Sequence, residues 1–155
     1  MKGKHLLWSM IVLSLFIGCK NSLETPNYSK EQDQKSIQAI LKVLDDHKIS
    51  TADKMDVWVD DLIHMAPNHT IITTKASLIE HINNEKKYGF ADMTHEITEM
   101  HSFEKIVIMH GKVTGTFYPI NEGTPNTFET KNLFVFRRMK DNSLKIWKVI
   151  FNMTS

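Results

Sequence analysis

From Thr94 to the C-terminus this 155-residue chain alternates apolar and polar side chains over four long segments, 94–102, 104–118, 129–140 and 143–153. A period of two makes strands with one apolar face, and the Val, Ile, Phe, Thr and Trp that fill these segments suit a pleated surface. The connections are short. NEGTPN at 121–126 and KDN at 140–142 are turn formers that leave room only for antiparallel neighbours. Four such strands must bury one face, so helices elsewhere in the chain have to cover it.

Those helices lie upstream, where the period changes. Ile37, Ile40, Leu41 and Leu44 recur on one helical face, predicting an amphipathic helix over 33–48. Ser50 followed by Asp53 is a capping-box signature, and Met55, Trp58 and Leu62 supply a second stripe ending near Asp60. Pro67 stops a brief strand, LIHM at 62–65. Thr73 or Thr74 then caps a third helix whose buried face is Leu78, Ile79 and Ile82. Three N-terminal helices packed on one face of an antiparallel sheet make an α+β domain from Asp33 to Ser155, with no repeat or low-complexity tract inside it.

The N-terminus carries an address. Lys2, Lys4 and His5 lead into the apolar run LLWSMIVLSLFIG, which has signal-peptide length and is too short to span a bilayer. Ending at Gly18–Cys19, it resembles a bacterial lipoprotein signal, with Phe16 where that signal usually has Leu. The resemblance implies a signal peptide over 1–18, a lipidated Cys19 and a bacterial envelope protein. Lys20 after the cysteine favours the outer membrane. Residues 19–32, with Pro26, read as a lipidated end and flexible tether. Cys19 is the lone cysteine, so no disulfide partner competes for its thiol. Losing residues 1–18 removes two lysines and leaves 17 basic against 18 acidic side chains. Nucleic acid binding has no basic footprint here.

The string WVDDLIHMAPN at 58–68, followed by KASLIEHI, GKVTGTFYP at 111–119 and the hairpin NLFVFRRMKDNSLKIWKVIFN at 132–152, resembles the nuclear transport factor 2-like superfamily. Within it, the chain is similar to an uncharacterised SnoaL-like, ketosteroid-isomerase-like branch. The resemblance implies a cone: a strongly curved antiparallel sheet closed by helices around a pocket. Carried onto this chain, the family's inward positions are Trp147, Val149 and Phe151, then Asn132, Phe134 and Phe136, then Lys112, Thr114, Thr116 and Tyr118. His64 and Ala66 fall at the mouth. Ile146, Ile150, Val113 and Phe117 would then point outward, forming an apolar face on which a homodimer assembles. The branch commonly has an aromatic residue where Leu144 stands and an acid where Val149 stands.

The resemblance implies a pocket for an apolar or aromatic ligand, walled by Trp58, Phe134, Phe136, Trp147 and Phe151 and oriented by His64, Thr114, Thr116, Tyr118 and Asn132. Ketosteroid isomerase uses a carboxylate base, a tyrosine and a protonated acid. Ala66, Ile40 and Phe134 occupy those places here, so that mechanism has no base or donors. Two other readings stay open. His64 could be the base of an isomerase, cyclase or hydrolase with Tyr118 or Asn132 as donor, or a filled cone could be a dimeric envelope interaction module.

Other constellations point away from chemistry. His95 and His101 fall on one face of one strand but about 20 Å apart, too far for one ion, and His64 and His69 straddle Pro67, so no metal site is expected. Asp60 and Asp61 read as solvent-facing acids at a helix end. No nucleophile motif and no cofactor motif is present.

Overall fold

A computed structural model of the chain describes residues 28–121 and 123–154, so the apolar leader, Cys19 and the first part of the tether lie outside the described residues. Helix α1 (Lys30–Asp45) begins three residues before the expected start at Asp33. Ser29 caps it, accepting the Gln32 N–H at 3.1 Å, and Glu31 and Asp33 oppose the dipole in the first turn. Its face of Ile37, Ile40 and Leu41 is buried.

The expected second helix is a correction. The capping interaction forms, with Ser50 Oγ accepting the Asp53 N–H at 3.1 Å, but it starts only a 3₁₀ turn, Asp53–Val57. The chain is extended from Trp58, where Val57, Trp58 and Val59 favour a strand and β1 (Trp58–Met65) finds a partner in the sheet. Trp58 and Leu62, read as helix stripe, are buried strand residues. Helix α2 (Lys75–Glu85) is capped by Thr74, which accepts the Ser77 N–H at 3.2 Å, and buries Leu78. The described residues thus hold two α-helices rather than three.

The sheet has the order β1-β5-β4-β3-β2, with β2 (Gly89–Ser102), β3 (Ile106–Pro119), β4 (Asn126–Arg138) and β5 (Leu144–Met153) running as an antiparallel meander. β1 lies parallel to β5, pairing His64 with Val149, so the curved sheet is mixed. Helix α1 covers one face, and the core lies between them: Ile37 and Leu41 against Val107, Met109, Phe134, Phe136 and Ile146. Asp33 and Arg138 fasten helix to sheet through two bonds of 2.8 Å.

Three strand phases differ from expectation. No irregularity interrupts β3 opposite β4, so counting by two from buried Val107 and Met109 puts Val113 and Phe117 inside and Lys112, Thr114, Thr116 and Tyr118 outside. Gly111 and Gly115 share the inner parity. A Cβ on Gly115 would sit 2.4 Å from the Asp92 carbonyl oxygen, so the neighbouring strand approaches there as only glycine permits. In β5 a bulge places Ile146 opposite Phe136 and Lys148 opposite Val135, making Trp147 the extra residue. Ile146 is therefore fully buried, while Trp147 turns outward beneath Arg137 and Lys148. In β2 a bulge between Ile97 and Glu99 separates His95, inside, from His101, outside. Of the expected outward apolar residues, Ile150 alone faces out.

Interior residues under α1 are fully buried, whereas Met93, Phe117, Phe128 and Phe151, nearer the Gly89–Pro119 end or the β5 end, are half-buried. The cone has a filled base and a more open mouth.

Candidate functional site

Helix α1 ends at Asp45 over the inner face of β2, and there the border between base and mouth carries a partly buried acid and imidazole. Asp45 Oδ1 lies 2.5 Å from His95 Nδ1, and its Oδ2 accepts the His95 backbone N–H at 3.1 Å. The His95 side chain is only 8% exposed and meets the Phe134 ring edge-on at 5.7 Å. With Nδ1 engaged by the carboxylate, Nε2 is the nitrogen left for proton chemistry, which is the orienting role an acid plays behind a catalytic histidine.

Across the sheet, His64 on β1 packs between Trp58 at 6.1 Å, His81 of α2 at 5.8 Å and Phe151 at 5.7 Å, with His69 a further 4.8 Å from His81 (ring centroids). Burial first, then the nearby His81 and His69, pull the His64 pKa down from 6.5 to about 4. It is neutral near pH 7. His64 Nδ1 and Trp58 Nε1 are both buried without a hydrogen-bond partner among the described residues, an arrangement that proteins rarely leave unsatisfied. Between the two histidines, Asn132 faces inward and accepts the Thr130 hydroxyl at 2.5 Å. Among the described residues no group of three His, Cys, Asp or Glu side chains is arranged to hold a metal ion.

The structure therefore gathers Trp58, His64, Asn132, Phe134, Phe136 and Phe151 of the expected site on the interior face, with Phe136 sealed in the base. It sends Thr114, Thr116, Tyr118 and Trp147 to the outer face. Ile40 and Phe134 are core residues. Asp60 and Asp61 are strand residues in ion pairs, with Lys75 at 2.9 Å and bidentately with Arg137 at 2.6 and 2.8 Å. The Arg137 guanidinium holds the Asp61 carboxyl below the usual carboxylate range.

Sequence reasoning missed the His95–Asp45 pair. Asp45 reads as one of the polar residues on α1, and His95 reads only as a rejected metal ligand. Its parity with Met93 and Ile97, both inward, is the signal that would have found it.

No family model matches the chain, and no curated protein matches it. Solved structures do match its fold. A ketosteroid isomerase-like protein from Erwinia carotovora atroseptica superposes with a TM-score of 0.70 at 19% identity, covering 83% of this chain and 99% of the other. A nuclear transport factor 2-like superfamily protein from Salmonella enterica gives 0.65 at 11% identity, over 81% and 90%. A type 2 hexachlorocyclohexane dehydrochlorinase gives 0.67 at 15% identity, over 79% and 86%. The structural neighbours are nuclear transport factor 2-like proteins, and the mixed sheet with two helices is consistent with their cone fold.

Proposed function

We propose that the mouth of the cone binds a small apolar or aromatic molecule and that His95, aligned by Asp45, removes a proton from it. The partly buried 2.5 Å contact between His95 Nδ1 and Asp45 carries this reading. A carboxylate behind one ring nitrogen fixes the ring and directs the other nitrogen at a ligand. His64 suits another role. A pKa near 4 makes it a weak base, so it serves better as a neutral hydrogen-bonding group beside Trp58 Nε1. The named neighbours include a dehydrochlorinase and an isomerase-like protein, and elimination of hydrogen chloride and isomerisation both require a proton to leave carbon. The ligand's walls would be Phe151 with the half-buried Met93, Phe117 and Phe128 of the mouth.

The test is incubation of the full chain in deuterated buffer with small-molecule extract of its source cells, followed by mass spectrometry. Compounds should gain deuterium or change mass with the wild type, lose that change by about a hundredfold or more with His95→Gln and Asp45→Asn, and keep most of it with His64→Gln. Identical profiles for wild type and His95→Gln would refute the assignment. The same reading puts the protein on the bacterial envelope through a lipidated Cys19, and lets two copies pair across Ile108, Leu133, Val135 and Ile150 of the outer face.

A further inference from the structure

The outer face of β2, β3 and β4, near the Gly89–Pro119 end, holds an open trough of about 640 Å³ whose chemistry differs from that of the interior. The strand register arranges its side chains as a grid. Asp92, Thr116 and Thr127 form one cross-strand row, and Thr94, Thr114 and Glu129 form the next. Thr154 closes the end, donating its hydroxyl to the Glu129 carbonyl oxygen at 3.0 Å. The row beyond Asp92 is aromatic: Phe90 stands opposite Tyr118 on the same face, the rings stacked at 4.8 Å and 14°, with Phe90 58% exposed.

No basic side chain lines this trough, and neither Asp92 nor Glu129 enters an ion pair among the described residues. Two carboxylates and a set of hydroxyls make an acceptor-rich floor that repels anions and attracts O–H and N–H donors. The exposed aromatic ring beside them presents an apolar, electron-rich surface to C–H groups. Hydroxyls in the plane of a ring and C–H groups on its faces occur together in sugars. Neighbouring strands are about 4.8 Å apart, close to the length of one sugar unit, so the grid matches a chain of sugars laid across β2, β3 and β4.

We infer that this trough binds a neutral glycan, with Asp92, Glu129 and the threonines taking its hydroxyls and Phe90 stacking on a sugar ring. A neutral partner is favoured over a basic peptide because hydroxyl-rich walls and an aromatic platform add nothing to ion pairing. The site is separate from the interior and stands whether or not His95 moves a proton.

The experiment is calorimetric titration of the full chain, held in detergent, with cellohexaose, maltohexaose and chitohexaose at low and high salt. One of the three should bind saturably with little salt dependence. Phe90→Ala and Asp92→Asn, both at exposed side chains, should each weaken it by about tenfold, the loss expected for one stacking or charge-assisted contact, while His95→Gln leaves it unchanged. No binding of any hexasaccharide at millimolar concentration would overturn the inference. So would binding that both variants leave intact, or salt-sensitive capture of oligolysine in place of sugar.

Discussion

Replacing Asp33 by Asn tests how the roof of the cone is held on. Asp33 is 2% exposed and the Arg138 side chain 7%, and their two 2.8 Å bonds join residues 105 positions apart. Asn keeps one acceptor and the volume but removes the charge, leaving the guanidinium buried without its counterion. Breaking such a pair from one side costs about 3–5 kcal/mol. Arg138 retains the Glu104 carbonyl oxygen at 3.1 Å and the Tyr28 ring at 4.5 Å, so the lower end applies, about 3 kcal/mol. In a domain of this size that is a fall in Tm of about 10 °C. Urea unfolding followed by tryptophan fluorescence should show a lower midpoint at unchanged slope. The double change Asp33→Leu with Arg138→Met should recover most of the loss, because it leaves no buried charge. A midpoint for Asp33→Asn within error of the wild type would refute the reasoning and mean that α1 is held by its apolar face alone.

Two further outcomes follow from the structure and a third from the sequence. Between pH 6.5 and about 4 the unfolded chain takes up a proton at His64 that the folded chain resists, so stability should fall as pH falls through that window, by on the order of 2 kcal/mol, and His64→Gln should flatten this dependence in urea titrations. Gly115→Ala should destabilise by about 2 kcal/mol in the same assay, since its Cβ would meet the fixed Asp92 carbonyl at 2.4 Å, whereas Thr114→Ala on the exposed face should change stability by less than about 0.5 kcal/mol. Mass spectrometry of the mature N-terminus should find lipid on Cys19, and Cys19→Ser should abolish it; an unmodified Cys19 in the wild type would end the anchor reading.

Period-two patterning made the meander legible, and local spacing did the same for α1, a cap of α2 at Thr73 or Thr74, and the α+β class. What the sequence concealed depends on tertiary partners. Trp58 fits a helical stripe with Met55 and Leu62, and pairing with β5 makes it a strand residue. Unbroken alternation along β5 puts Trp147 inside, and the bulge there shifts the phase by one residue. The same shift in β2 parts His95 from His101. In β3 the family's inward positions fall on Lys112, Thr114, Thr116 and Tyr118, whereas Val107, Met109, Gly111 and Gly115 mark the inner parity. The His95–Asp45 contact joins residues 50 positions apart: the parity of β2 turns His95 inward, and only the tertiary fold brings Asp45 to it.

Native mass spectrometry of the protein isolated from its own source cells tests most directly whether the cone is a small-molecule site. The expected result is a non-covalent adduct of an apolar or aromatic molecule that is released on denaturation and reduced when the mouth is narrowed by Phe151→Trp. Repeated recovery of ligand-free protein, with the wild type and Phe151→Trp indistinguishable, would contradict it.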